Sequence, residues 1–297
     1  MADDGRSGSI SNGDLVGRGS TARRMVLGTQ LRRLREAASI SRAEAAYAVR
    51  ASESKLSRLE TGRVAFKERD VADLLTMYGI ADPDERETFL GMVRDANQPG
   101  WWRRYHDVLP GWFQDYVGLE ESASLIQAHE MQFVHGLLQI EAYALAIATR
   151  GRPDYALDDV KRRIAARLRR QRVLFDVHPP RLWVVLDESV LRRPIGGREV
   201  LRRQLEHVIE MSLRPNITIQ VTPNHLSGYA AEGAFTILRF VESELPDVVY
   251  IEHLDGALYL DGMAEIEAYS RALDRLMVDA ETPQRSRQLM IKLLAES

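Results

Sequence analysis

The 297-residue chain has no cysteine, which excludes a disulfide framework and any thiolate-ligated zinc. That absence agrees with a cytoplasmic protein, the expected compartment. Lysine is scarce too: Lys55, Lys67, Lys161 and Lys292 are the only ones among 40 basic residues. No apolar run approaches the roughly 18 residues of a membrane span, so no membrane partner is expected. Residues 1–24 are rich in Gly, Ser, Asp and Arg and lack an apolar segment, which argues against a secretory signal and for a disordered tail. Catalytic signatures are missing as well. There is no H-x-x-x-H, phosphate-binding glycine loop, nucleophile elbow or dinucleotide fingerprint. An enzyme would have to use Glu188, His225, Glu252, His253 and Asp255, and Glu252 and His253 would face opposite ways as neighbours in a strand. No catalytic residue, metal or cofactor is expected.

What is there is a globular composition, 45% hydrophobic and 28% charged, in a length that suits one large domain or two ordinary ones. The net charge of −3 hides a segregation. From Thr21 to Arg63 ten basic residues meet four acidic ones, so this stretch carries +6 and the remainder −9. A basic head on an acidic body is the asymmetry expected of a protein whose head meets nucleic acid.

The periodicity predicts a first helix over 26–38, with Leu27, Leu31 and Leu34 forming its apolar stripe. Ser41 and Glu44 make a capping box for a second helix, and Ser52 caps a third that Leu56 and Leu59 anchor and Gly62 stops. Helices over 68–77 and 82–97 complete an all-α, five-helix head, residues 25–97. Gln98-Pro99-Gly100 breaks the chain. Beyond it, helices are expected over 116–132, 140–149 and 158–175. A strand over 181–187 and a helix over 199–213 follow. Strands over 217–221, 234–240 and 248–254 come next, with a short one at 259–260, and helices over 263–279 and 283–295 finish the chain. The second domain, 98–297, is therefore α+β, with helices flanking a small mixed sheet.

The second and third helices fit helix-turn-helix docking, in which a recognition helix offers its early residues to the major groove. Ala45, Ala46 and Val49 can pack on Leu56 and Leu59 to set the angle. Ser54, Ser57 and Arg58 share an outward face, where Arg58 can donate bidentately to a guanine. Arg42, Lys55 and Arg63 are spaced for phosphates, and Glu53 either accepts from a cytosine amino group or excludes wrong sequences. The plain alternative is a helical hairpin with a solvated basic face.

Residues 26–78 resemble an XRE-type (Cro/repressor-like) helix-turn-helix domain, with Ser52–Gly62 similar to the pattern S-x-S-x-I-S-x-I-E-x-G. The resemblance implies double-stranded DNA as partner and Glu53, Ser54, Ser57 and Arg58 as base-reading positions. It also implies an ion pair between Arg35 and Glu60. Two positions depart from the pattern: Arg50 stands for the usual turn glycine and Arg42 for a common glutamine. The rest of the chain resembles the C-terminal domain of unknown function of many actinobacterial XRE-type regulators. It does so through Gly100-Trp-Trp, Trp112-Phe113, Gly136-Leu-Leu-Gln139, Arg181-Leu-Trp-Val-Val-Leu-Asp-Glu188, Leu191-Arg-Arg-Pro-Ile-Gly-Gly197 and Pro246-Asp-Val-Val-Tyr-Ile-Glu252. His135 departs from the family's usual proline there. That resemblance implies a small antagonist protein as a partner.

Trp101, Trp102, Tyr105, Trp112, Phe113 and Tyr116 form an aromatic cluster that either lines an effector pocket for a planar ligand or packs as core. The expectation is a homodimeric, sequence-specific transcriptional regulator, because one recognition helix reads few base pairs. Its C-terminal domain would receive a signal and mediate assembly. The alternative is a protein-interaction module of a small-partner antagonist system, with DNA contact secondary.

Overall fold

The computed structural model describes residues 20–151, 156–225, 233–241 and 245–296. The tail expected over 1–24 lies outside the described residues as far as residue 19. Two compact units divide between Trp101 and Trp102, four residues beyond the boundary expected at 97.

The first unit is all-α. Its helices are α1 Ser20–Ala37, α2 Arg42–Ala48, α3 Glu53–Glu60, α4 Glu68–Met77 and α5 Pro83–Ala96. Helix α1 starts six residues before the expected position. Ala22, Val26 and Leu27 are fully buried, and Met25 nearly so, so the apolar stripe begins earlier than its leucines suggest. Asp82 caps α5 by accepting from the amides of Asp84 and Glu85 at 2.9 Å. Leu27 and Leu31 of α1, Leu56 of α3, and Leu74 and Leu75 of α4 are all at 0% exposure. Each such leucine contributes about 1.5–3 kcal/mol of burial.

The second unit is built on one mixed six-stranded sheet in the order β3-β2-β1-β4-β5-β6. Its chain runs α6 Gly111–Ser122, β1 Leu125–Glu130, α7 Glu141–Gly151, α8 Leu157–Arg170, β2 Arg181–Asp187, α9 Glu188–Arg192 and α10 Arg198–Met211. It continues with β3 Ile217–Thr222, β4 Phe235–Arg239, β5 Val248–His253, β6 Gly256–Leu260, α11 Met263–Asp279 and α12 Pro283–Glu296. β1 runs parallel to β2, and β2 to β3, while β4, β5 and β6 are antiparallel. The α+β class with helices around a mixed sheet is what the sequence pattern implies.

Three elements differ from expectation. The helix expected over 116–132 stops at Ser122, and Leu125–Glu130 is the strand β1 at the sheet centre. Its segment Leu-Ile-Gln-Ala-His-Glu is buried on both faces, so no period-2 alternation marks it and its helix-compatible residues are overridden by tertiary pairing. The helix expected over 158–175 ends at Arg170 and tightens into a 3-10 turn, Gln171–Phe175. The short helix α9 follows β2 directly, capped by Asp187, whose carboxylate accepts from the Ser189 amide at 2.9 Å.

Strand alternation gives the sheet two unlike faces. One carries Val185, Phe235, Ile237 and Val249, packed under Leu273 and Leu276 of α11. The other carries Tyr250, whose ring lies 4.1 Å from that of Tyr116 in α6. On that side a buried ion pair, Arg170 to Glu120 at 2.5 Å, is completed by the Tyr116 hydroxyl, which donates to Glu120 at 2.9 Å.

Candidate nucleic-acid interface

The helix-turn-helix is α2 and α3. The Ser41 hydroxyl accepts from the Glu44 amide at 3.2 Å, and the Ser41 amide donates to the Glu44 carboxylate at 2.8 Å, closing the capping box. The Ser41 hydroxyl, which also donates to the Glu44 carboxylate at 2.6 Å, and then the Ser41 amide hold that carboxyl below its ordinary range. Ser52 starts α3 the same way, accepting from the Lys55 amide at 3.2 Å. Between the helices the Ala51 amide reaches back to the Ala46 carbonyl at 2.9 Å. This tight turn needs one left-handed residue. Arg50 supplies it at φ +52°, where a side chain is strained and glycine is not.

Behind the motif, Ala45, Ala46, Val49, Leu56 and Leu59 are all buried and fix the α2–α3 angle. Arg35 and Glu60, implied by resemblance as a pair, do meet. The Arg35 Nε donates to Glu60 at 2.6 Å and Nη2 at 3.1 Å, with both side chains under 10% exposed. The third guanidinium nitrogen donates to the Ile40 carbonyl at 3.0 Å, tying the α1–α2 loop to the end of α3. The pairing with Glu60 holds Arg35 above its ordinary range. The Tyr78 hydroxyl is buried near this pair and is pushed upward by burial first and Glu60 second.

Two glycines also set the docking of α3, and sequence reasoning found only one. A Cβ on Gly28 would sit 2.6 Å from the carbonyl oxygens of Leu59 and Glu60, so α1 touches the end of α3 backbone to backbone. Gly62, at φ +69°, would put a Cβ 2.5 Å from the Met25 amide nitrogen. Gly28 sits mid-helix, where glycine costs about 1 kcal/mol against alanine, and that cost is the sequence signal for a close approach.

With the motif braced from behind, α3 presents Ser52, Glu53, Ser54 and Arg58 to solvent, and Arg42 and Arg63 are exposed beside it. The Arg58 side chain folds back to the Ser54 carbonyl, Nε donating at 3.4 Å. Ser57 is half-buried, its carbonyl accepting from the Thr61 hydroxyl at 2.9 Å. Two expected phosphate residues have internal partners. Arg42 lies 3.9 Å from Glu60, and Lys55 lies 3.9 Å from Asp70 in α4. A groove beside the turn is lined by Arg50, Lys55, Lys67 and Arg69 together with Asp70 and Asp73. Of these basic residues only Lys55 was expected at the interface. Tyr47 on α2 is 87% exposed.

Of the aromatic cluster, Trp101 belongs to the first unit and the other five residues to the second. Trp112, Phe113 and Tyr116 make a chain of ring contacts that continues to Tyr250, with the Arg170 guanidinium 5.3 Å from the Phe113 and Tyr116 centroids. Tyr116, at 2% exposure, is core. Glu188 pairs with Arg192 and accepts from the Asn224 amide, while His253 lies 3.6 Å from Asp255 on the exposed end of the β5–β6 hairpin. Among the described residues no three acidic or histidine side chains are grouped to hold a metal. Nor is any helix among them long and apolar enough to cross a membrane.

A family profile described as a helix-turn-helix domain matches residues 26–89, which contain α2, α3 and α4 whole. A second, described as a domain of unknown function (DUF5753), matches residues 113–292. No curated protein and no solved structure matches the chain. The helix-turn-helix domain supports a DNA-binding regulator. As the second match takes in more than half of the sequence, the chain belongs to the DUF5753 family, with a helix-turn-helix domain ahead of the family domain.

Proposed function

We propose that this chain is a sequence-specific transcriptional regulator of the XRE type, acting in the cytoplasm as a homodimer. Helix α3 enters the major groove with Ser54, Ser57 and Arg58 toward base edges and Glu53 screening unsuitable sequences. Arg42, Arg63 and Ser52 at the helix start contact phosphates, with Lys55 joining once DNA competes for it against Asp70. The single observation that supports this most is the outward face of α3: small polar and basic side chains left exposed, on a helix held from behind by the buried Arg35–Glu60 pair and the Gly28 contact. A helical hairpin with no partner has no need of such a rigid mount.

The C-terminal domain is the half that receives a signal, from a small partner protein or a ligand, and mediates assembly. A signal acts there only through unequal affinity for two arrangements of the protein. Selection of duplexes from a random pool by the purified chain tests the reading. The expected outcome is a symmetric pair of half-sites about one helical turn apart. An unenriched pool would reject it. A second reading, a protein-interaction module of an antagonist system, is favoured by large apolar side chains left on the body's surface, Leu254 at 85%, Val278 at 83% and Met263 at 77% exposure. A stoichiometric partner that leaves DNA affinity unchanged would support it.

A further inference from the structure

The groove beside the α2–α3 turn is a cleft whose positive charge exceeds what its own acids match. Asp70 faces Lys55 at 3.9 Å and Asp73 faces Arg69 at 4.0 Å, so both carboxylates are engaged. Arg50 and Lys67 line the same cleft, and among the described residues neither side chain has an ion-pair or hydrogen-bond partner. Two uncommitted cations thus border a space of about 390 Å³, which Ala48 and Val49 also line.

Exposed cations are ordinary, and a solvated face would account for Lys67 by itself. It does not account for Arg50. That residue carries the turn at φ +52°. The turn is closed by backbone bonds alone, from the Arg50 amide to the Tyr47 carbonyl at 3.0 Å and from the Ala51 amide to the Ala46 carbonyl at 2.9 Å. Glycine would make the same two bonds without the left-handed strain. A strained conformation kept by a residue with a long cationic side chain points to a use for that side chain.

The position of the cleft indicates the use. Lys55, on its wall, belongs to the first turn of α3, next to the exposed Ser54. A recognition helix offers this end to base edges, and a helix about 10–12 Å across fills a major groove about 12 Å wide. What stands to the side of its first turn therefore meets the phosphate ridge. Arg50, three residues before α3, and Lys67, directly before α4, stand at that side.

We propose that the cleft receives one phosphate of the DNA backbone, held by Arg50 and Lys67, and that this contact is why an arginine occupies a position that favours glycine. The grip is additional to those of Arg42, Arg63 and Lys55, and it carries no base information. The assignment rests on the reading of α3 as the base-reading helix. A free phosphate compound offers the same chemistry, so the test has an arm for each source.

The first arm is anisotropy titration of the full chain on a selected and a scrambled duplex, from about 50 to about 200 mM salt. R50G and R50Q should each weaken both duplexes alike and reduce the slope of log affinity against log salt by about 0.9. The advantage of wild type over either variant should then shrink about 3.5-fold across that range. K67Q should also weaken both duplexes alike, whereas R50K, which keeps the charge, should stay within about twofold of wild type. R50G relieves the turn, so a binding loss there is not a loss of structure, and R50Q separates the charge from the backbone change. Wild-type affinity in R50Q or K67Q at every salt concentration, or a loss confined to the selected duplex, would overturn the proposal.

The second arm is calorimetric titration with inorganic pyrophosphate in the absence of DNA. Saturable binding at about micromolar concentration that R50Q removes would give the cleft to a free ligand and overturn the DNA assignment; no saturable binding there supports it. A wild-type chain that binds neither duplex fails the reading of α3 and this assignment with it. Wild-type binding that R50Q matches fails this assignment alone.

Discussion

Replacing Gly28 with alanine pits two effects of opposite sign against each other. Helix propensity favours alanine by about 1 kcal/mol in the interior of α1. Packing opposes it. The new Cβ would stand 2.6 Å from the carbonyl oxygens of Leu59 and Glu60, where ordinary contact is 3.4–4 Å, so α1 and α3 must part by about 0.8 Å. Neither oxygen can yield by rotating a side chain, because both belong to backbone. The interface that must open contains Leu27, Leu31, Leu56 and Leu59, each at most 2% exposed. Overpacking of this kind costs about 1–3 kcal/mol, and a backbone clash belongs at the upper end. The net expectation is a loss of about 1–2 kcal/mol, concentrated where α3 docks. Hydrogen exchange of the α3 amides reads it directly, since about 1.4 kcal/mol speeds exchange tenfold. G111A serves as the control: Gly111 begins α6 with nothing within 4 Å of a new Cβ, so only propensity acts there. If G28A slowed exchange in α3 as propensity alone requires, the close-approach argument would be wrong.

Arg50→Gly should raise the thermal stability of the head by about 1 kcal/mol, since the turn at φ +52° strains a side chain, and a lower melting temperature would contradict that reading. Removing one partner of the buried Arg35–Glu60 pair should be severe. R35M or E60M alone should each lose about 3–5 kcal/mol in urea denaturation, while the R35M/E60M double mutant recovers most of it; additive losses would count against a desolvated pair. His135 gives the body an acid limb. Its imidazole is held down to about 3, by burial first and then by Arg170 and Arg167, whereas the unfolded residue titrates near 6.5. As pH falls below 6.5 the unfolded chain binds a proton that the folded one refuses, so stability drops by up to about 1.4 kcal/mol per pH unit until pH nears 3. The backbone at φ −51° and ψ 138° accepts proline, so H135P should flatten that limb between about pH 6 and pH 4 by this amount; an unaltered slope would refute it.

The head was nearly transparent in the sequence because its signals are local. Capping residues Ser41, Ser52 and Asp82 and the leucines of α3 and α4 mark their elements within a single turn or two. Gly28 was missed because a close approach is a property of two helices, and nothing near residue 28 names residues 59 and 60 as its neighbours. β1 was misread as helix for a related reason. A central strand buried on both faces shows no alternation, and its pairing partners, in β2 and β4, lie 56 to 114 residues away. The aromatic residues are visible in the sequence but ambiguous, because side chains such as Phe113 and Tyr116 serve a core as readily as a pocket, and the burial of Tyr116 against Tyr250 comes only from the fold.

The central claim is that the exposed face of α3 reads base edges while its flanks grip phosphates. Anisotropy titrations of the full chain, R58A and R63A on a selected duplex and a scrambled one test it most directly. R58A should lose about 1–3 kcal/mol on the selected duplex and little on the scrambled one, erasing the preference, whereas R63A should weaken both alike. Equal losses for the two variants on both duplexes would contradict the account.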